Sequence, residues 1–133
     1  MTARHAARRQ AVDLLYQADV TGGTPLEALA AWRAAGEEVF PFAVELVEGV
    51  AAHLEEIDAE LGEAAERWSV ERMAAVDRAI LRVACLELRF RDDVPAAVAI
   101  DEAVEAAKAL STEDSARFVH GVLGRIARGA GEG

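Results

Sequence analysis

The chain has 133 residues, 53% hydrophobic but only 5% aromatic, with one cysteine and a formal net charge of −10. That length suits a single domain with one core. The lone Cys85 excludes an intrachain disulfide and fits a reducing compartment. No apolar run approaches the roughly 20 residues that span a bilayer, and the basic start MTARHAARRQ leads into no signal-peptide core, so a cytoplasmic protein is expected. The apolar share rests on alanine with few β-branched runs, which favours closely packed helices and an all-α fold.

The first helix is expected over Ala3 to Asp19, where Ala7, Ala11, Leu14, Leu15 and Ala18 keep the 3–4 spacing of a core stripe. Arg4 and Arg8, four apart, share another face with Arg9 beside them. Gly22 and Gly23 end it. Thr24-Pro25-Leu26-Glu27 then reads as a capping box opening a short second helix that closes at Gly36. Pro41 fits only the first turn of a third helix. Phe42, Leu46, Val50, Leu54, Ile57 and Leu61 predict one long buried stripe, ended by Gly62.

Ser69 is placed to cap a fourth helix with Met73, Val76, Ile80, Val83, Ala84 and Leu88 inward, Cys85 as a small core filler, and Arg78, Arg82 and Arg89 on an outer face. A fifth helix runs from about Pro95 to Leu110 with Ala97, Ile100, Val104 and Ala107 inward. Ser111 or Thr112 caps the sixth, whose core face is Val119, Val122, Leu123 and Ile126; Gly129 is expected to stop it, leaving 129–133 as a frayed tail.

Charge is unevenly distributed. Ten acids lie between Glu37 and Glu66 with no Lys or Arg among them, and the 14 acids elsewhere match the 14 bases. Such a run reads first as a solvated face, and second as a surface that repels nucleic acid or meets a basic protein. Arg4, Arg8 and Arg9 at the start and Arg117, Arg125 and Arg128 near the end form local basic ends, which would make one small patch if they meet in space.

Catalytic signatures are missing: His5, His53 and His120 form no HExxH, and there is no GxGxxG, Walker loop or GxSxG elbow. His53, Glu56 and Glu60 share a helical face that would hold a metal, a spacing that arises easily by chance. Arg117 next to Phe118 offers a phosphate contact and a stacking face for an RNA base, although periodicity alone favours placing Phe118 in the core beside Val119 and Val122.

Three stretches, RHAARRQAVDLLYQAD, MAAVDRAILRVACLELRF and DVPAAVAIDEAVEAAKALSTEDSARFVHGVL, resemble the bacterial NusB family of transcription antitermination factors, in order along nearly the whole chain. The resemblance implies a compact all-α domain of two small helical bundles, with neither catalysis nor cofactor. It also implies binding to single-stranded boxA RNA together with NusE, a small-subunit ribosomal protein, acting with RNA polymerase and other Nus factors on ribosomal RNA transcripts. Carried over by position, Arg4, Arg8, Arg9, Asp114, Arg117 and Phe118 are the implied RNA contacts, and Tyr16 and Asp77 the implied NusE contacts. The family's usual INEA stands here as Ile100-Asp101-Glu102-Ala103, its FVNG as Phe118-Val119-His120-Gly121, and its Arg-Glu as Arg8-Arg9. His120 thereby replaces an amide that would hydrogen-bond.

Two other readings stay open. One is a helical protein-interaction module; the other is a stand-alone relative of the RNA-binding domain of ribosomal RNA cytosine methyltransferases. Homodimerisation, which would hide the RNA face, is a further option.

Overall fold

A computed structural model describes the backbone of residues 3–66 and 68–132, with side chains to residue 129. Its regular elements are α1 (Ala3–Thr21), α2 (Pro25–Ala34), α3 (Pro41–Ala52), α4 (Leu54–Ala65), α5 (Ala75–Phe90), α6 (Ala96–Leu110) and α7 (Glu113–Glu132), with one 3-10 turn at Val70–Arg72. Among the described residues there is no strand, and no helix is long and apolar enough to cross a membrane.

The helix ends follow local chemistry. α1 closes as a Schellman motif: Gly22 takes φ +76° and donates to Asp19 O at 3.3 Å, while Gly23 N–H reaches Ala18 O at 2.9 Å. α2 opens on the expected capping box, Thr24 N–H donating to Glu27 Oε1 at 2.8 Å and Glu27 N–H to Thr24 Oγ1 at 3.2 Å. Thr112, rather than Ser111, caps α7 by accepting from Ser115 N–H at 3.0 Å.

Two bundles share one continuous apolar core. α1, α2 and α3 pack on one another, as do α5, α6 and α7, with α4 against α5 and α7, and α5 also packs against α1 and α3. That central position explains why α5 is buried on most of its circumference, with Leu81 and Leu86 enclosed as well as the expected Ile80, Val83 and Ala84. Burying a side chain the size of Leu contributes about 1.5–3 kcal/mol, so α5 joins the bundles strongly. Cys85 is a core filler; burial, with Glu60 second, pushes its thiol up to about 12, which leaves it inert.

Five expectations need correction. The single helix over 41–62 is two, broken at His53, which leaves helical geometry at φ −118°. Residues four apart drift about 40° around a helix of 3.6 residues per turn, so Phe42 and Leu54 cannot share a face without a break. α3 packs toward α1 and α2, and α4 toward α5 and α7; the His53 ring marks the break, stacked on Phe90 at 3.8 Å.

Ser69 precedes the 3-10 turn without a side-chain cap, and α5 starts later, at Ala75. Arg78 and Arg82 are not on an outer face: Arg78 Nε lies 2.8 Å from Asp19 Oδ2, and Arg82 joins Asp19 at 3.2 Å and Asp58 at 2.8 Å, tying α5 to α1 and α4. Burial opposes the Arg82 charge, but Asp58 and Asp19 outweigh it and raise its pKa.

The inner face of α6 is Ala99, Ala103, Ala106 and Ala107, with Ile100 and Val104 half-buried and Ala97 exposed. Finally, α7 continues through Gly129 and Gly131 to Glu132, since each interior glycine costs only about 1 kcal/mol; Gly133 lies outside the described residues.

Candidate nucleic-acid interface

The head of α7 is pinned to the first turn of α5. Ser111 Oγ donates to Ser115 Oγ at 2.8 Å, and Ser115 Oγ donates to Asp77 Oδ2 at 3.0 Å. The Asp77 side chain is buried, and its Oδ1 has no partner among the described residues. This chain of hydroxyls fixes the register of α7 and so aims the next turn outward. Asp114 and Arg117, paired at i, i+3, are 88% and 71% exposed.

Phe118 has a double role. Its ring is half-buried, packing on the core, and it also lines two grooves. One groove is shared with Trp68, Arg72, Met73 and Asp77, the other with Trp68, Gly121 and Arg125. Trp68, half exposed, was missed by the sequence reading. Its signal was present: an indole in an aromatic-poor chain, between an acidic run and a helix. Arg125 is partly committed elsewhere, donating to Ala64 O at 2.6 Å at the end of α4.

The arginines of α1 separate. Arg8 is buried: its Nε and Nη2 meet the Glu87 carboxylate at 3.0 and 2.8 Å, and Nη1 lies 3.8 Å from Glu102. Its charge therefore fastens α1 to α5 and α6, and no face of it is offered to a phosphate. Arg9, half-buried, has no hydrogen bond or ion pair among the described residues and stands beside Ala103 and Ala106 of α6. Arg4 is partly exposed, 2.7 Å from Asp93.

The two basic ends do not merge into one patch. α1 packs against α2, α3 and α5, and α7 against α4, α5 and α6. α6 is the strip between them: from Ala106 beside Arg9 to Ser111 is about 8 Å at 1.5 Å per residue. Tyr16 is exposed on α1, whereas Asp77 is enclosed beneath the α7 head.

The acidic segment is not simply solvated. Asp58, Glu60 and Glu66 of this run meet Arg82, Arg89 and Arg125, and Glu45 meets Arg91. Glu60 is thereby taken from any metal set with His53 and Glu56. The described ligand-type groups that do converge are His5, Glu102 and Glu105, but the Arg8 guanidinium beside Glu102 opposes a metal ion there.

Comparison with known proteins points one way. The profile of the NusB family matches residues 5–128. A transcription antitermination protein NusB of Saccharopolyspora erythraea is 55% identical over 131 residues, covering 96% of this chain and 88% of the relative. One from Beutenbergia cavernae is 54% identical, with 96% and 91% covered. Among solved structures, T. maritima NusB superposes with a TM-score of 0.82 at 34% identity, covering 96% of this chain and 92% of that one. A crystal structure of antitermination factors NusB and NusE in complex with dsRNA gives 0.82 at 28%, with 95% and 96% covered.

Proposed function

The chain belongs to the NusB family, and on that premise we propose that it is a transcription antitermination factor that binds RNA jointly with NusE. The observation that carries this reading is the match, end to end, to a NusB solved with NusE and RNA. The ligand we assign is boxA of nascent ribosomal RNA transcripts, bound so that RNA polymerase passes terminators with the other Nus factors. Residues 1–133 act as one cytoplasmic, non-catalytic domain.

We assign the RNA to the α7 head and to the exposed side of α1. Arg117 supplies phosphate contact once it leaves Asp114, Phe118 and Trp68 supply faces for bases, and Arg9 and Arg4 extend the track across α6. Arg8 holds α1 in place for them. Tyr16 is assigned to NusE; the enclosed Asp77 acts on that partner through the position of α7. Only a few cations are open on a molecule of net charge −10, so RNA binding by the chain alone is weak and modestly salt-dependent. A basic partner lengthens the positive track, and joint engagement raises apparent affinity without new chemistry.

A gel-shift titration with boxA RNA, its duplex and a scrambled strand, with and without NusE, tests this. Tight, boxA-selective binding only in the presence of NusE is expected. Equal boxA affinity with and without NusE would overturn the joint mechanism, and no RNA discrimination would leave a protein-interaction module. In the same assay Phe118→Ala should remove stacking of about 1–3 kcal/mol.

A further inference from the structure

A second cationic cluster lies away from the α7 head, where α1 begins and α5 ends. The ring of Phe42, buried at the start of α3, carries three guanidiniums: Arg4 at 4.2 Å from its centroid, Arg91 at 5.2 Å and Arg8 at 5.4 Å. Cation–π attraction to one enclosed ring fixes such groups without a carboxylate. Arg8 is closed off by Glu87. Arg4 and Arg91 open to the surface, and between them stands one exposed carboxylate, Asp93.

Arg91 grips Asp93 through one edge of its guanidinium, Nε to Oδ1 at 3.0 Å and Nη2 to Oδ2 at 3.1 Å, while Arg4 Nη2 meets the same Oδ2 at 2.7 Å. Planar forks of this kind fit carboxylate and phosphate oxygens alike. Arg91, with Arg4 second, holds the Asp93 carboxyl down at about 2, so the charged form sits in the fork. Glu45 takes the remaining Arg91 edge at 2.8 Å, and Glu102 and His5 face the buried side, on Arg8 and on each other. Asp93 lies in the turn between α5 and α6, outside every helix, so it can leave without unfolding one.

We propose that the Arg4–Arg91 fork on Phe42 is an additional phosphodiester site for RNA, kept shut in the free protein by its own Asp93 carboxylate. A backbone phosphate displaces Asp93 and takes its place between the two guanidiniums. The site rests on the RNA-binding reading above and adds Arg91 to the Arg4 end of the RNA path. Because the occupant must be expelled, the site discriminates against weak, isolated anions and engages when RNA is already held elsewhere.

The test uses the full chain with NusE and boxA RNA. Asp93→Asn should raise affinity about threefold to tenfold at low salt and steepen the log–log salt dependence by about 0.7, the increment of one single-strand phosphate. Asp92→Asn makes the same charge change next door, on a residue without hydrogen bond or ion pair among the described residues, and should have a much smaller effect. Arg91→Ala should abolish the gain in the Asp93→Asn background. Equal gains from Asp92→Asn and Asp93→Asn, or a gain that survives Arg91→Ala, would overturn the site.

A second readout needs no RNA: inorganic phosphate should shift the Arg91 Nε–Hε NMR signal in Asp93→Asn and not in the parent chain. If no variant binds RNA but this shift occurs, the function fails and the anion site stands. If the shift is absent, the site fails whatever the RNA result.

Discussion

Arg8 and Arg9 are adjacent, equally charged, and put to opposite uses. Arg8 turns inward onto Glu87, and Arg9 stays at the surface beside α6. Removing one member of a buried pair leaves an uncompensated charge, so Arg8→Ala should cost about 3–5 kcal/mol in unfolding free energy. Replacing both, as Arg8→Met with Glu87→Leu, should recover most of it, and denaturant unfolding measures each; Arg9→Ala should leave stability unchanged and reduce the RNA salt slope. A mild Arg8→Ala would show that the pair is not enclosed in solution. At this scale the sequence was least legible. It grouped the arginines by charge and position, but what sorts them is a carboxylate 79 residues away, and no local spacing carries that. Asp114 and Arg117 were easier, because the cap and polar head of their own helix announce an outward-facing turn, whereas Phe118 lies between that turn and the core.

Helices were legible where their ends are chemical: Pro25, Thr24, Gly22 and Gly36 each do what their type dictates. The break at His53 was less so: the repeated four-residue spacing drifts round a single helix, but apolar residues continue straight across the break. Besides the α5 they share, α3 serves α1 and α2 while α4 serves α7, and no turn residue signals the change. A second feature of α3 also depends on its neighbour. Gly49 sits where a Cβ would come within 2.8 Å of Leu86 Cδ2 on α5, so the missing side chain makes room for the buried Leu86 side chain. Gly49→Ala should destabilise by about 1–3 kcal/mol through overpacking, despite its better helix propensity. Leu86→Val in the same chain should restore part of the loss in thermal unfolding. A stabilised Gly49→Ala would mean that α3 and α5 stand further apart.

For the molecule as a whole, the all-α class and the approximate helix count could be read from alanine richness and periodicity, and the charge map identified both basic ends. How the ends are arranged could not be read, since that depends on α5 and α6 standing between them. The same arrangement gives α5 a further role, in time. The enclosed side chains of α1 and α3, among them Leu14, Leu46 and Val47, await a helix that is synthesised much later. The stretch from His53 to Phe90 takes about 2–8 s at roughly 5–20 residues per second, and until α5 emerges the first three helices expose an apolar face. A fragment of residues 1–74 should therefore lack cooperative unfolding and bind a hydrophobic dye, and a sharp two-state melt of that fragment would contradict this. A cell making this chain holds, for those seconds, an unfinished surface that a chaperone or the ribosome itself must shield.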